Sequence, residues 1–161
     1  MRWAAFDGQK QFCRRLVGQI GMTLSSLRID VACRALDPLL LGSGFVRGAI
    51  ECDAGSGGPF ASVSYERGNQ QLALWCRGDL LSARYSQGAA ELDHTLFMSL
   101  LGARDSKSFP CTGCAEAQAS ALASDLKLHG AGFLERESIQ VVQLAAQHAK
   151  DPGRFRGFRG V

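Results

Sequence analysis

The residues best able to do chemistry are Cys111-Thr-Gly-Cys114. Two thiols at this spacing, at a helix start, can place a thiolate under the helix N-terminus or supply half of a zinc site. A zinc site needs two further ligands. The histidine nearest downstream is His129, at the far end of the expected helix, about 22 Å away at about 1.5 Å rise per residue. A thioredoxin-like use needs a strand and a βαβ context before the motif. The loop Gly102 to Pro110 stands there instead. Cys111 and Cys114 therefore read as a thiol-redox or metal pair, or as an incidental one.

Other candidates carry less. Asp93-His94 offers an acid and a base, but adjacent helix residues do not face each other, and Asp93 suits a helix N-cap. Gly55-Ser-Gly-Gly58 resembles a phosphate loop without the lysine and following helix that a P-loop uses, so it reads as a hairpin connection. His129 and His148 fall near expected helix ends, a structural position. Gly153-Arg-Phe-Arg-Gly-Phe-Arg-Gly160 interleaves arginine with aromatics, as single-strand binders do, and reads equally as a tail. Trp75 and Arg77 share strand parity with Ala73, and Arg84 shares it with Ser82 and Ser86. Tryptophan and arginine are the residues that anchor protein interfaces. These three are the expected binding residues if their face is open, and Trp75 is core if a helix covers it. No catalytic residue is assigned and no cofactor is implied.

The elements that must position these residues are α+β in order. Leu24, Leu27, Val31, Ala35 and Leu39 recur at helical spacing behind Thr23, Ser25 or Ser26 as a cap. Pro38, Gly42 and Gly44 mark its end. Four strand-like segments follow: Phe45–Asp53, Phe60–Glu66, Gln70–Cys76 and Leu80–Gln87. Arg67-Gly-Asn and Arg77-Gly-Asp separate the last three as tight turns, which requires antiparallel pairing. Helices return with Leu96, Phe97, Leu100 and Leu101 after Asp93, then Cys114 to Leu128. A last helix carries Val141, Val142, Ala145 and Ala146 behind Ser138. The expected fold is a four-stranded antiparallel sheet over residues 45–87, flanked by an N-terminal helix and about three C-terminal helices. The domain spans 22–152. Residues 1–21 read as an extension upstream of a start at Met22, and 153–161 as a basic aromatic tail.

Bulk properties fit one globular domain: 46% hydrophobic and 20% charged residues in 161. No apolar run approaches the roughly 18 residues of a membrane span. The early Asp7 and late Arg14-Arg15 do not follow signal-peptide order, so a cytoplasmic location is expected. Six cysteines in a reducing compartment then act as small buried hydrophobes. The net charge is +3. Residues 1–22 carry +3 and residues 153–161 another +3, which leaves residues 23–152 at −3. The pI near 8.6 thus does not signal a basic face on the body.

From Met22 onward the chain resembles small bacterial α+β proteins of toxin-immunity or unknown function. A leading helix ends in "LDPLLLGSGF", a meander "ASVSYERGNQQLALWCRGDLLSARY" follows, and then a helix with "DHTLFMSLLG". The resemblance implies a non-enzymatic module that binds and blocks a partner protein, possessing no catalytic residues to carry over. The acidic body is compatible with a basic toxin such as a nuclease, though −3 alone does not discriminate. The alternatives are a thiol-redox or metal protein using Cys111 and Cys114, and a nucleic-acid adaptor using the basic ends. Nucleic acid is the less favoured partner of an acidic body. A monomer, or a homodimer through an edge strand at 45–53 or 80–87, is expected.

Overall fold

The computed structural model describes residues 24–55, 58–136 and 138–151. The expected extension at 1–21, Cys13, the cap Thr23 and the tail at 153–161 lie outside the described residues. The order is α1 (Leu24–Leu40), β1 (Val46–Arg47), β2 (Glu51–Gly55), β3 (Gly58–Arg67), β4 (Gln70–Arg77), β5 (Leu80–Gln87) and β6 (Ala90–Asp93). Four helices follow: α2 (His94–Leu100), α3 (Ala115–His129), the single turn α4 (Ala131–Leu134) and α5 (Gln140–Lys150). No helix among the described residues is long and apolar enough to cross a membrane.

The fold is α+β, with an antiparallel sheet in the order β1–β3–β4–β5–β6, and β2 also pairing with β3. The expected count of four strands is corrected to six. Ala90–Asp93 adds a strand along Arg84–Gln87, so that half of the expected edge Leu80–Gln87 is internal. The segment expected as one strand over 45–53 is split. Arg47 pairs with Tyr65 and Glu51 with Ser62, so three residues face two across a β-bulge. Because of this extra residue, Val46 and Glu51 point to the same face although five positions separate them.

Three hairpins have two-residue turns, closed by the pairs Arg67–Gln70, Arg77–Leu80 and Gln87–Ala90. The first turn residue of each is a glycine with φ near +60°, namely Gly68, Gly78 and Gly88. Primed turns need this conformation because it matches the right-handed strand twist. A Cβ at Gly78 would meet nothing within 4 Å. Gly78→Ala is therefore expected to lose only the backbone preference, about 1 kcal/mol. Urea denaturation checks this, and Gly78→Asn should lose less.

One sheet face carries the core. Ala61, Val63, Tyr65, Leu72, Leu74, Cys76, Leu81, Ala83, Tyr85 and Leu92 are all buried, alternating with exposed or half-exposed neighbours. α1 packs on β3, β4 and α3, while α3 reaches β5. Phe97 stacks on Tyr85 with ring centres 4.3 Å apart, and Phe133 meets the edge of the pair. The core row of α1 is Ile29, Ala32, Cys33, Leu36 and Leu40. The expected row of Leu24, Leu27, Val31, Ala35 and Leu39 lies to its side, with Leu24 64% exposed. Two apolar rows compete on this helix, and the one with small Ala32 and Cys33 gains the closer approach to the sheet. Ser25 and Ser26 sit inside the first turn, and Ser25 Oγ donates to the Pro59 carbonyl at 3.3 Å. In α5 the buried pair is Val141 and Leu144, while Val142 faces solvent.

Candidate interaction face and buried polar networks

The face of the sheet turned away from the core is assembled by strand parity and hairpin register. Ser62, Trp75 and Ser82 lie in one cross-strand row. Ser64, Ala73, Arg84 and Asp93 form the next, and Glu66, Gln71, Ser86 and Glu91 the next. Phe60, Arg77 and Leu80 close the opposite end. Strand β2 adds Glu51 beside Ser62 and Asp53 beside Phe60. Every one of these side chains is exposed or half-exposed.

Trp75 is thus half-buried on the open face and is not core beneath a helix. The Arg84 guanidinium lies over its ring, 5.2 Å from the centroid, and Arg84 also pairs with Glu91 at 3.3 Å. Arg77 lies over Phe60 at 5.6 Å. Glu66 accepts from Ser64 Oγ and Gln71 Nε2, both at 3.0 Å. Trp75, Arg77 and Arg84 are therefore brought onto one face, with aromatic rings shielded on one side by cations. A guanidinium placed over an indole helps order both groups while leaving their rims free for a partner.

Cys111 and Cys114 stand before α3. Cys114 occupies its N-cap position without a side-chain capping bond, and is exposed; Cys111 is half-buried. No group of three or more histidine, cysteine, aspartate or glutamate side chains is arranged to hold a metal ion among the described residues. The expectation of buried cysteines holds for Cys33 and Cys76, whose thiols burial pushes upward in pKa. It fails for Cys52, exposed on the edge strand, and for Cys114.

A buried series of ionisable groups is one that sequence reasoning misses. Asp93 and His94 diverge: Asp93 is exposed and accepts from Leu96 N at 2.8 Å, whereas His94 is 2% exposed. Tyr85 O–H donates to His94 Nδ1 at 2.7 Å, and His94 Nε2–H donates to Asp125 Oδ2 at 3.0 Å. Asp125 also accepts from the backbone of Ser108 at 2.6 Å and Phe109 at 2.8 Å. Burial lowers the His94 pKa, opposed by the hydrogen bond and charge of Asp125. With imidazole neutral, both nitrogens have the partner that this tautomer requires. Burial and the Asp125 charge push the Tyr85 phenol well up.

Hydroxyl, imidazole and carboxylate in series could move a proton. Here the hydroxyl is a fully buried phenol, so no substrate reaches it. The series ties the loop at 103–110 to α3 and the sheet. A second network does the same at the other end, where Asp37 accepts from Tyr65 O–H and from Arg47, each at 2.8 Å. A third runs through Gln118, which accepts from Leu81 N at 2.9 Å and donates to the carbonyls of Asp79 and Gly113. It fixes the β4–β5 turn against α3. No family model, curated protein or solved structure matches the chain.

Proposed function

We propose that the protein is a non-enzymatic binding module that docks another protein on its open sheet face and blocks it, as an immunity protein blocks a toxin. The observation that carries this reading is the constellation around Trp75. It is an aromatic anchor on a register-locked sheet surface that no described helix covers, bearing Arg84 on its ring and flanked by Phe60, Arg77 and a 69%-exposed Leu80. Interfaces draw their affinity from such central aromatic and arginine anchors inside a polar rim. Burial of the Tyr85–His94–Asp125 series supports the same reading, since the best-organised acid–base groups serve the fold. The resemblance in the order of elements suggests the class of partner.

Co-expression with the product of the adjacent gene tests the proposal. A stable complex and protection of the host cell are expected. Trp75→Ala should weaken that complex by about 2 kcal/mol, roughly 30-fold, with the circular dichroism spectrum unchanged. A complex indifferent to Trp75→Ala, or none at all, would refute the assignment.

A further inference from the structure

We infer that the open sheet face recognises a cationic protein surface, one whose contact patch is rich in lysine and arginine. This rests on the reading of that face as a docking surface. Five carboxylates lie on it, Glu51, Asp53, Glu66, Glu91 and Asp93, against two guanidinium groups, Arg77 and Arg84, a formal net of −3. All five acids are exposed. Residues 23–152 sum to −3 in the sequence, so the remainder of the body is balanced. The formal net charge of this one surface therefore equals that of the whole of residues 23–152.

The placement of the acids matters as much as their number. Glu51 and Asp53 line the edge at β2, and Glu91 and Asp93 line the opposite edge at β6. Glu66 stands at one end of β3, beside the 71%-exposed Val46. The carboxylates thus line three sides of a surface that holds Ala73 and Trp75, with Phe60, Arg77 and Leu80 at its remaining end. Arg84 is already satisfied within the face by Glu91 and the Trp75 ring. An incoming cation meets a negative rim first and the aromatic centre afterwards. Rim charges of this kind set association rate and partner choice, and the apolar centre sets the residence time.

Amide chemical shifts of the full chain, titrated with cytochrome c as a basic globular probe and with succinylated cytochrome c as its charge-reversed form, test this. Native cytochrome c should shift amides of β2, β3, β4, β5 and β6 near the five acids. The affinity should fall about tenfold between about 0.05 M and about 0.3 M salt. The combined variant Glu51→Gln, Asp53→Asn and Glu91→Gln should abolish the shifts, and its own unperturbed spectrum shows that it folds. Equal shifts with native and succinylated probe would preserve a docking face and overturn its charge preference. Shifts confined to the helices, or none, would overturn both.

Discussion

Replacing Asp125 with alanine is expected to destabilise the protein by about 4 kcal/mol. The carboxylate is fully buried and accepts three hydrogen bonds, from Ser108 N, Phe109 N and His94 Nε2. Its loss strands the buried Phe109 N–H and the imidazole donor and unpairs the partly buried Ser108 N–H. Asp125→Asn retains one acceptor oxygen and should lose about half as much. Thermal unfolding checks both. The same series makes stability depend on acid. His94 has a folded pKa lowered from the ordinary 6.5, so the unfolded chain takes up the proton first as pH falls. The stabilisation is full above 6.5 and declines as pH drops through 6.5 towards the lower folded value. The groups facing the imidazole are Tyr85 on β5, Asp125 on α3, Asp93 beside it, and Lys107 in the loop. The melting temperature should therefore fall between about pH 7 and about pH 5, and fall less in His94→Gln.

That network was illegible in the sequence for a physical reason. His94 and Asp125 are 31 positions apart, and neither sits in a spacing that local geometry rewards. Next to Asp93, His94 reads as half of an adjacent pair, because proximity along the chain is the only proximity a sequence displays. The meander was legible because a period of two and a glycine at each turn are both local. Strand β6 was missed because it has four residues and one buried apolar side chain, Leu92, and because Asp93 serves as both strand end and helix cap. Parity alone put Trp75, Arg77 and Arg84 on a common face. It could not say which face the helices cover, since that is decided by which row of α1 docks. Nor could it bring Glu51 and Asp53 onto that face, because their direction depends on the bulge after Arg47.

The second large effect is expected at Arg67, whose alanine variant should lose about 3 kcal/mol and roughly 10 °C of melting temperature. Arg67 ends β3 on the core-facing parity of Ala61, Val63 and Tyr65, where an unpaired arginine would be costly. Instead its guanidinium donates to the carbonyls of Ser43, Phe133, Leu134 and Glu135, and to Gln70 Oε1. It also lies 4.3 Å over the Phe45 ring. Burial pulls its pKa below the ordinary arginine value, with Arg136 nearby adding to the effect. Main-chain carbonyls at a helix C-terminus have no intrahelical donor, and one planar fork satisfies the end of α4 and the turn after α1 together. Truncation removes the donors for both at once, which is why the loss exceeds that of a surface ion pair. Arg34→Ala is the internal comparison. Arg34 is 77% exposed, in an i,i+4 pair with Asp30, and its loss should stay within about 0.5 kcal/mol. Arg67→Lys should recover less than half of the difference, because a single ammonium cannot address carbonyls on two sides of one plane. Hydrogen exchange locates the effect: amides of α4 and of the 41–44 turn should lose protection first in Arg67→Ala, while those of β4 and β5 retain it. Uniform loss across the sheet would show that Arg67 acts on the strand pairing and not on the junction it spans.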